Sequence, residues 1–211
     1  MKVKLIALSL LVIMTYSCKK DNEDPKGNLP SILPTNSFYP MSVGNYWVFE
    51  FTNKDPNGDP VGIPSIDTLK IVKDTLINEL SYFLFETNKP SPSTHFLRRD
   101  SSGYIISPNG TVVLLPSANE GLYNFHYGIF NSNDTAYAYW EEYIDGFTVN
   151  TDFGNFESLG KLGKHEATPN WGGNTSIDTN LYAEIGSLQR SFSYLSGGKM
   201  IGVLIDYHLE E

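Results

Sequence analysis

Between residues 46 and 51 the chain reads "YWVFEF". Trp47, Phe49 and Phe51 fall on one side of an extended backbone, and Tyr46, Val48 and Glu50 on the other. A strand turns successive side chains to opposite faces, whereas a helix returns to one face every three or four residues. The same alternation recurs in "TLKIV", where Leu69 and Ile71 oppose Thr68, Lys70 and Val72. No segment of twelve residues carries a helical period, so the chain has to find its core with strands. Tyr, Phe, Trp, Ile, Val and Thr dominate, with turn residues at short intervals.

The punctuation predicts antiparallel hairpins. "KDPNGDP" at 54–60 reads as a turn, "DTLINELSYFLFE" turns at Asn78-Glu79, and "RRDSSGYIIS" turns at Ser102-Gly103. "SPNGTVVLLP" turns at Asn109-Gly110, the strongest short hairpin signal in the chain. Further strands are expected at "LYNFHYGIF", "TAYAYWEE", "GFTVNT", "LYAEIG", "QRSFSYL" and "MIGVLIDYHLE", and "PSANEGL" is long enough for one helical turn.

The first 17 residues read as a signal peptide. Lys2 and Lys4 precede a run from Leu5 to Met14 that is apolar except for Ser9, about half the length needed to span a bilayer. "TYSC" ends on Cys18, the only cysteine in the chain, which excludes an internal disulfide. It resembles the lipobox of bacterial lipoproteins, in which the cysteine is acylated and becomes the mature N-terminus. Thr15 and Tyr16 depart from the usual box. "KKDNEDP" after it resembles the export signals that place Bacteroidetes lipoproteins on the outer face of the outer membrane. The expectation is an outer-membrane lipoprotein held by its lipid anchor, at the cell surface rather than facing the periplasm. Residues 18–37, polar and carrying Pro25, Pro30 and Pro34, read as a lipidated cysteine and flexible tether. Residues 38–211 read as one β-rich domain.

Charge narrows the partners. The whole chain carries a formal −9, and removing the leader leaves 13 basic residues against 24 acidic. This balance argues against nucleic acid, which demands a basic face, and against direct binding of anionic lipid headgroups.

Four stretches, in order, carry a family resemblance. "FYPMSVGNYWVFEF" is similar to a recurrent opening of Bacteroidetes lipoproteins: an aromatic-Pro pair, a Gly-Asn and a Trp-led strand. "RRDSSGYIIS" resembles their Arg-Asp-x-x-Gly-aromatic hairpin. "FTVNTDFGNFES" resembles a segment with Gly154 and Phe156 at matching places, although Asn150 and Asp152 replace Pro and Ala. "LYAEIGSLQRSFSY" resembles a strand preceding a last one, here "VLIDYHLE", with Ile185 and Ser187 flanking Gly186 as departures. The resemblance implies a single curved antiparallel sheet, similar to the open barrels of periplasmic lipoprotein carriers. Gly44, Gly154 and Gly186 read as sheet-bend positions needing positive φ or close backbone approach. Trp47 reads as a core anchor.

No catalytic spacing stands out. His95, His126, His165 and His208 are scattered, and no cofactor is expected. "DPNGD" at 55–59 lacks the glycine and glutamate of a calcium loop. In "WEEYID", Glu141 and Glu142 would face opposite ways on a strand, so the group reads as a solvated edge. The expected function is a non-enzymatic binding or structural module that uses an aromatic face of the sheet for a glycan, peptide or envelope-protein ligand. Tyr123 and Tyr127 with Phe125, and Tyr137 with Tyr139, are the candidate rows, drawn from 28 aromatic residues. The alternative is a glycan-active enzyme using carboxylates such as Asp145, Asp152 and Glu157. Thr68, Thr75 and Thr135 fit a loose Asp-Thr-apolar pattern for O-glycosylation.

Overall fold

A computed structural model describes residues 38–88, 93–116, 122–130, 134–194 and 197–210. The leader, Cys18, the tether and most of "PSANEGL" lie outside them, as does the side chain of Tyr123. The fold is one antiparallel sheet of twelve strands curled into an open half-barrel. The strands are β1 (Tyr46–Lys54), β2 (Pro60–Ile77), β3 (Leu80–Thr87), β4 (Ser93–Arg99), β5 (Ile105–Ile106) and β6 (Val112–Leu114). The second half comprises β7 (Leu122–Phe130), β8 (Asp134–Thr151), β9 (Gly154–Ala167), β10 (Thr175–Ala183), β11 (Gly186–Ser193) and β12 (Lys199–His208). A short 3-10 turn, Pro169–Trp171, sits between β9 and β10.

The strand order is β6-β5-β4-β3-β2-β1-β12-β11-β10-β9-β8-β7. Each wing is a meander of sequential hairpins, and the two wings join where β1 pairs with β12. This order forces the curl. Laid flat, twelve strands would put the two edges about 53 Å apart. Edge strands β6 and β7 are consecutive in the chain, from Leu114 to Leu122, and eight steps of backbone reach roughly 28 Å at most. The edges therefore turn toward one another. Lys161 on β9 donates to the Val113 carbonyl on β6 at 2.9 Å, and the Tyr143 hydroxyl on β8 reaches the same oxygen at 3.5 Å. These bonds tie the first wing to the second across the opening.

The expected hairpins form at all four turn signals. Asn78 and Glu79 both take positive φ, as a tight turn matching the strand twist requires. Trp47 and Phe49 are fully buried, with Phe51, Leu69 and Ile71 beside them on the inner face. Three expectations need correction. "TAYAYWEE" and "GFTVNT" form one strand, β8, which absorbs Asp145 and Gly146 in a bulge between Ile144 and Phe147. Second, β9 forms where the sequence signals no strand over most of its length. "GNFESLGKLGKHEA" is poor in β-branched residues because its glycines make room for neighbours: a side chain on Gly163 would meet Tyr139, and one on Gly160 would meet Ile144 and Phe147. Third, the acidic group is not a solvated edge. β8 is flanked by β7 and β9, and Glu141 is buried in an ion pair with Lys161.

Three of the four motifs of the family resemblance converge on one structural knot. Arg99 donates to the Phe38 and Tyr39 carbonyls at 2.7 and 2.8 Å. Asn45 donates to the Pro40 carbonyl and accepts from the Glu210 amide. The Trp47 indole N–H donates to the Ile185 carbonyl at 2.6 Å, and its ring packs over Gly186. Gly44, Gly154 and Gly186 all take positive φ, as expected.

Candidate functional site

Alternation delivers one side of each strand to the inner face, and the curl brings strands from both wings around a common trough. Among the described residues three cavities open there. One of about 290 Å³ lies among Leu69 on β2, His95 and Leu97 on β4, Ile105 on β5 and Leu114 on β6, with Tyr39 and Tyr182 closing it. A second, of about 360 Å³, is polar and lies over β8 to β11, among Tyr137, Tyr139, Lys161, His165, Asp178 and Asn180. The third, of about 600 Å³, is bounded by Phe51, Asp67, Phe192, Tyr194 and Met200.

Arg190 on β11 lines all three. Its guanidinium carbon sits 5.5 Å from the centre of the Phe49 ring and 5.6 Å from that of Phe192. Such contacts attract a cation without neutralising it. Among the described residues no carboxylate pairs with Arg190 and no group accepts a hydrogen bond from it. Buried or half-buried charges are normally paired, so this one stands out.

Its field is felt around the first cavity. Partial desolvation of the ring holds the His95 imidazole below its usual pKa although the residue as a whole is exposed, and Arg190 pushes it further down. Burial raises the Tyr39 and Tyr182 hydroxyls, against the opposing pull of Arg190. Neither hydroxyl bonds to a described residue. Their rings meet edge to face at 5.8 Å, and Tyr39 stacks on Trp47 at 5.1 Å and Phe85 at 5.7 Å. Tyr39 takes φ +71°, a conformation costing a non-glycine residue about 1–3 kcal/mol that only a well-determined surround maintains. Arg99 and the stacked rings supply that surround, and they place the phenol in the trough.

Lysine plays no comparable part. Lys161 Nζ lies 2.9 Å from Glu141 Oε1, which also accepts from the Tyr139 hydroxyl at 2.8 Å. Burial, then Glu141, drives the Tyr139 hydroxyl well above its normal range, so it stays a donor. In the same cavity His165 Nε2 meets Asp178 Oδ2 at 3.1 Å, with the Tyr139 ring 4.6 Å from the imidazole.

Phe125 and Tyr127 sit on the opposite face of the sheet from Tyr137 and Tyr139, and a register shift between Tyr123 and His126 takes Tyr123 out of step with Tyr127. Tyr137 and Tyr139 line the polar cavity, half-buried. Phe125 and Tyr127 are 53% and 61% exposed on the outer face, in edge-to-face contact with each other, and Phe125 stacks near Trp140. Strand pairing explains the split. His126 and Gly128, rather than Phe125 and Tyr127, stand opposite Tyr139 and Tyr137. Asp145, Asp152 and Glu157 are exposed, and Glu157 accepts from the Thr148 hydroxyl. Thr68, Thr75 and Thr135 are half-buried.

The residues that dominate the trough are Arg190, His95, Tyr39 and Tyr182, and the sequence reading did not single them out as a site. One signal was there. In "QRSFSYL", Arg190 and Phe192 share the face that meets the core, so a cation occupies an inward position of a buried strand.

The strand ladders and trough define this chain as an open half-barrel with a cationic centre. No family model matches it, and no curated protein matches it. Two solved structures are similar. One, provisionally described as an exported protein with a YmcC-like fold from Bacteroides fragilis, is 13% identical over 82% of this chain and 100% of its own, with a TM-score of 0.45. The other, provisionally described as a lipoprotein from Parabacteroides distasonis, is 12% identical over 83% of this chain and 100% of its own, with a TM-score of 0.36. Those descriptions stay with those proteins; the fold of this chain rests on its own ladders.

Proposed function

We propose that the chain is a non-enzymatic binding module of the cell envelope whose trough holds an amphipathic anion. Arg190 carries this reading: a cation with no acidic partner among the described residues, at the meeting point of three cavities. A phosphate or carboxylate group at Arg190 gains charge-assisted hydrogen bonds from the planar guanidinium. An aliphatic chain attached to that group has two apolar directions to follow, toward Leu97 and Leu114 or toward Phe51 and Met200. Myristoyl lysophosphatidylmethanol, a monoanionic phosphate diester, is a suitable probe, with monomyristoylglycerol as its uncharged counterpart. Titration calorimetry is expected to show the anionic probe binding at least about tenfold more tightly, from one charge-assisted contact. Equal affinities would remove the basis of the reading.

The envelope location rests on the leader, the lone Cys18 and the tether. A diacylated Cys18 anchors the chain stably, as a single acyl chain does not, and residues 19–37 give the domain roughly 25 Å of coil-like reach. "KKDNEDP" favours the outer face of the outer membrane. In cell fractionation the wild-type protein is expected in the membrane pellet and Cys18→Ala in the soluble fraction. A Cys18→Ala protein still fully membrane-bound would count against the anchor.

A further inference from the structure

We infer that His95 is the second cationic ligand of the anion held at Arg190, and that it becomes protonated as the anion binds. The inference rests on the trough reading above and adds a residue and a proton to it. His95 and Arg190 line the same apolar cavity, which Tyr39 and Tyr182 also line. The four side chains come from different parts of the chain: the segment before β1, β4, β10 and β11. All four can donate hydrogen bonds, and none is an obligate acceptor. A convergent set of donors with no carboxylate among them is suited to an anion and to little else.

Without a bound anion the His95 imidazole is held toward its neutral form by partial desolvation of the ring and by the like charge of Arg190. Its ring stacks on Phe85 at 6.1 Å, which fixes its plane. Of the titratable groups that face it, Tyr39 and Tyr182 stay protonated throughout the neutral range, and only Arg190 is charged. A bound anion reverses the balance. It cancels the repulsion from Arg190 and places a negative charge beside the imidazole, so the imidazole gains a proton from solvent. No bond other than that N–H forms. Because binding takes up a proton, affinity must fall as pH rises.

The test uses titration calorimetry of the full protein with myristoyl lysophosphatidylmethanol, whose own charge is constant over the range. Runs at pH 6.5 in two buffers of different ionisation enthalpy count the protons taken up. The expected result is an uptake of roughly half a proton or more, with affinity rising about threefold to tenfold from pH 8 to pH 6. His95→Gln, and His95→Phe, which keeps the stacking on Phe85, should still bind but show no uptake and a flat pH profile. His165 is the imidazole of the neighbouring cavity, so His165→Gln is the control and should keep the wild-type uptake. Binding that depends on Arg190 but shows no proton uptake, or uptake that survives both His95 variants, overturns the role of His95 and leaves the trough reading standing. Binding indifferent to Arg190 overturns the trough reading itself.

Discussion

Arg190→Gln is expected to weaken binding of myristoyl lysophosphatidylmethanol by at least about thirtyfold, while leaving the protein folded. Removing a charged donor from a desolvated anion forfeits about 2–3 kcal/mol, which is about thirty- to a hundredfold or more in affinity. The fold should tolerate the change because, among the described residues, Arg190 has no ion-pair or hydrogen-bond partner to strand. What it gives up internally is two ring contacts, with Phe49 and Phe192, each worth about 0.5–1 kcal/mol where partly solvated. Glutamine preserves most of the stem that covers those rings. Arg190→Lys separates charge from shape: a point charge keeps the attraction but loses the planar fork, so an intermediate affinity is expected. Unchanged binding in Arg190→Gln, with an unchanged melting temperature, would place the ligand elsewhere.

The second large effect concerns the scaffold. Gly186→Ala is expected to destabilise the protein by about 3–5 kcal/mol, since strain at positive φ and overpacking each cost about 1–3 kcal/mol. Gly186 takes φ +110°, and a methyl group there would overlap the Trp47 indole. Trp47 is fully buried and has nowhere to retreat. Displacing it also breaks its bond to the Ile185 carbonyl, leaving a buried acceptor unpaired at a further cost of about 1–3 kcal/mol. Urea denaturation should show the midpoint falling with little change in slope. A loss below about 1 kcal/mol would mean that the indole relaxes freely, contrary to the packing described here.

These two residues illustrate what was legible in the sequence. Gly186 and Trp47 belong to motifs that stand out in the chain, and both prove to be scaffold. Their conspicuousness comes from a geometric demand that one residue type alone meets. The alternation around Trp47 and Leu69, and turn pairs such as Asn109-Gly110, report purely local backbone preferences, so the strands and hairpins could be read directly. β9 could not, because its strand identity depends on what β8 lays over its glycines. The same holds for Glu141. Its neighbours in the chain look solvated, and its burial comes from Lys161 across the sheet. The trough was hidden for a related reason. Tyr39, His95, Tyr182 and Arg190 are far apart in sequence and meet only after both wings have curled. Tyrosine rows, by contrast, are visible in any strand, and pairing register alone decided that Tyr127 would face outward and Tyr139 inward.

The seam between β1 and β12 has a mechanical meaning. Both ends of the folded region leave from it: Tyr46 pairs with His208, and Asn45 is bonded to the Glu210 amide. Tension arriving through the N-terminal segment loads the bonds of Phe38 and Tyr39 to Arg99 and Ala183 first, and then enters at the middle of the sheet, on a strand flanked by β2 and β12. Such a pull runs along β1 and shears two ladders at once, loading their hydrogen bonds in parallel. A pull on an edge strand would instead peel its bonds away singly. The strand at which this chain can be tugged is thus the one best held, and the two sheet edges, β6 and β7, lie far from the load.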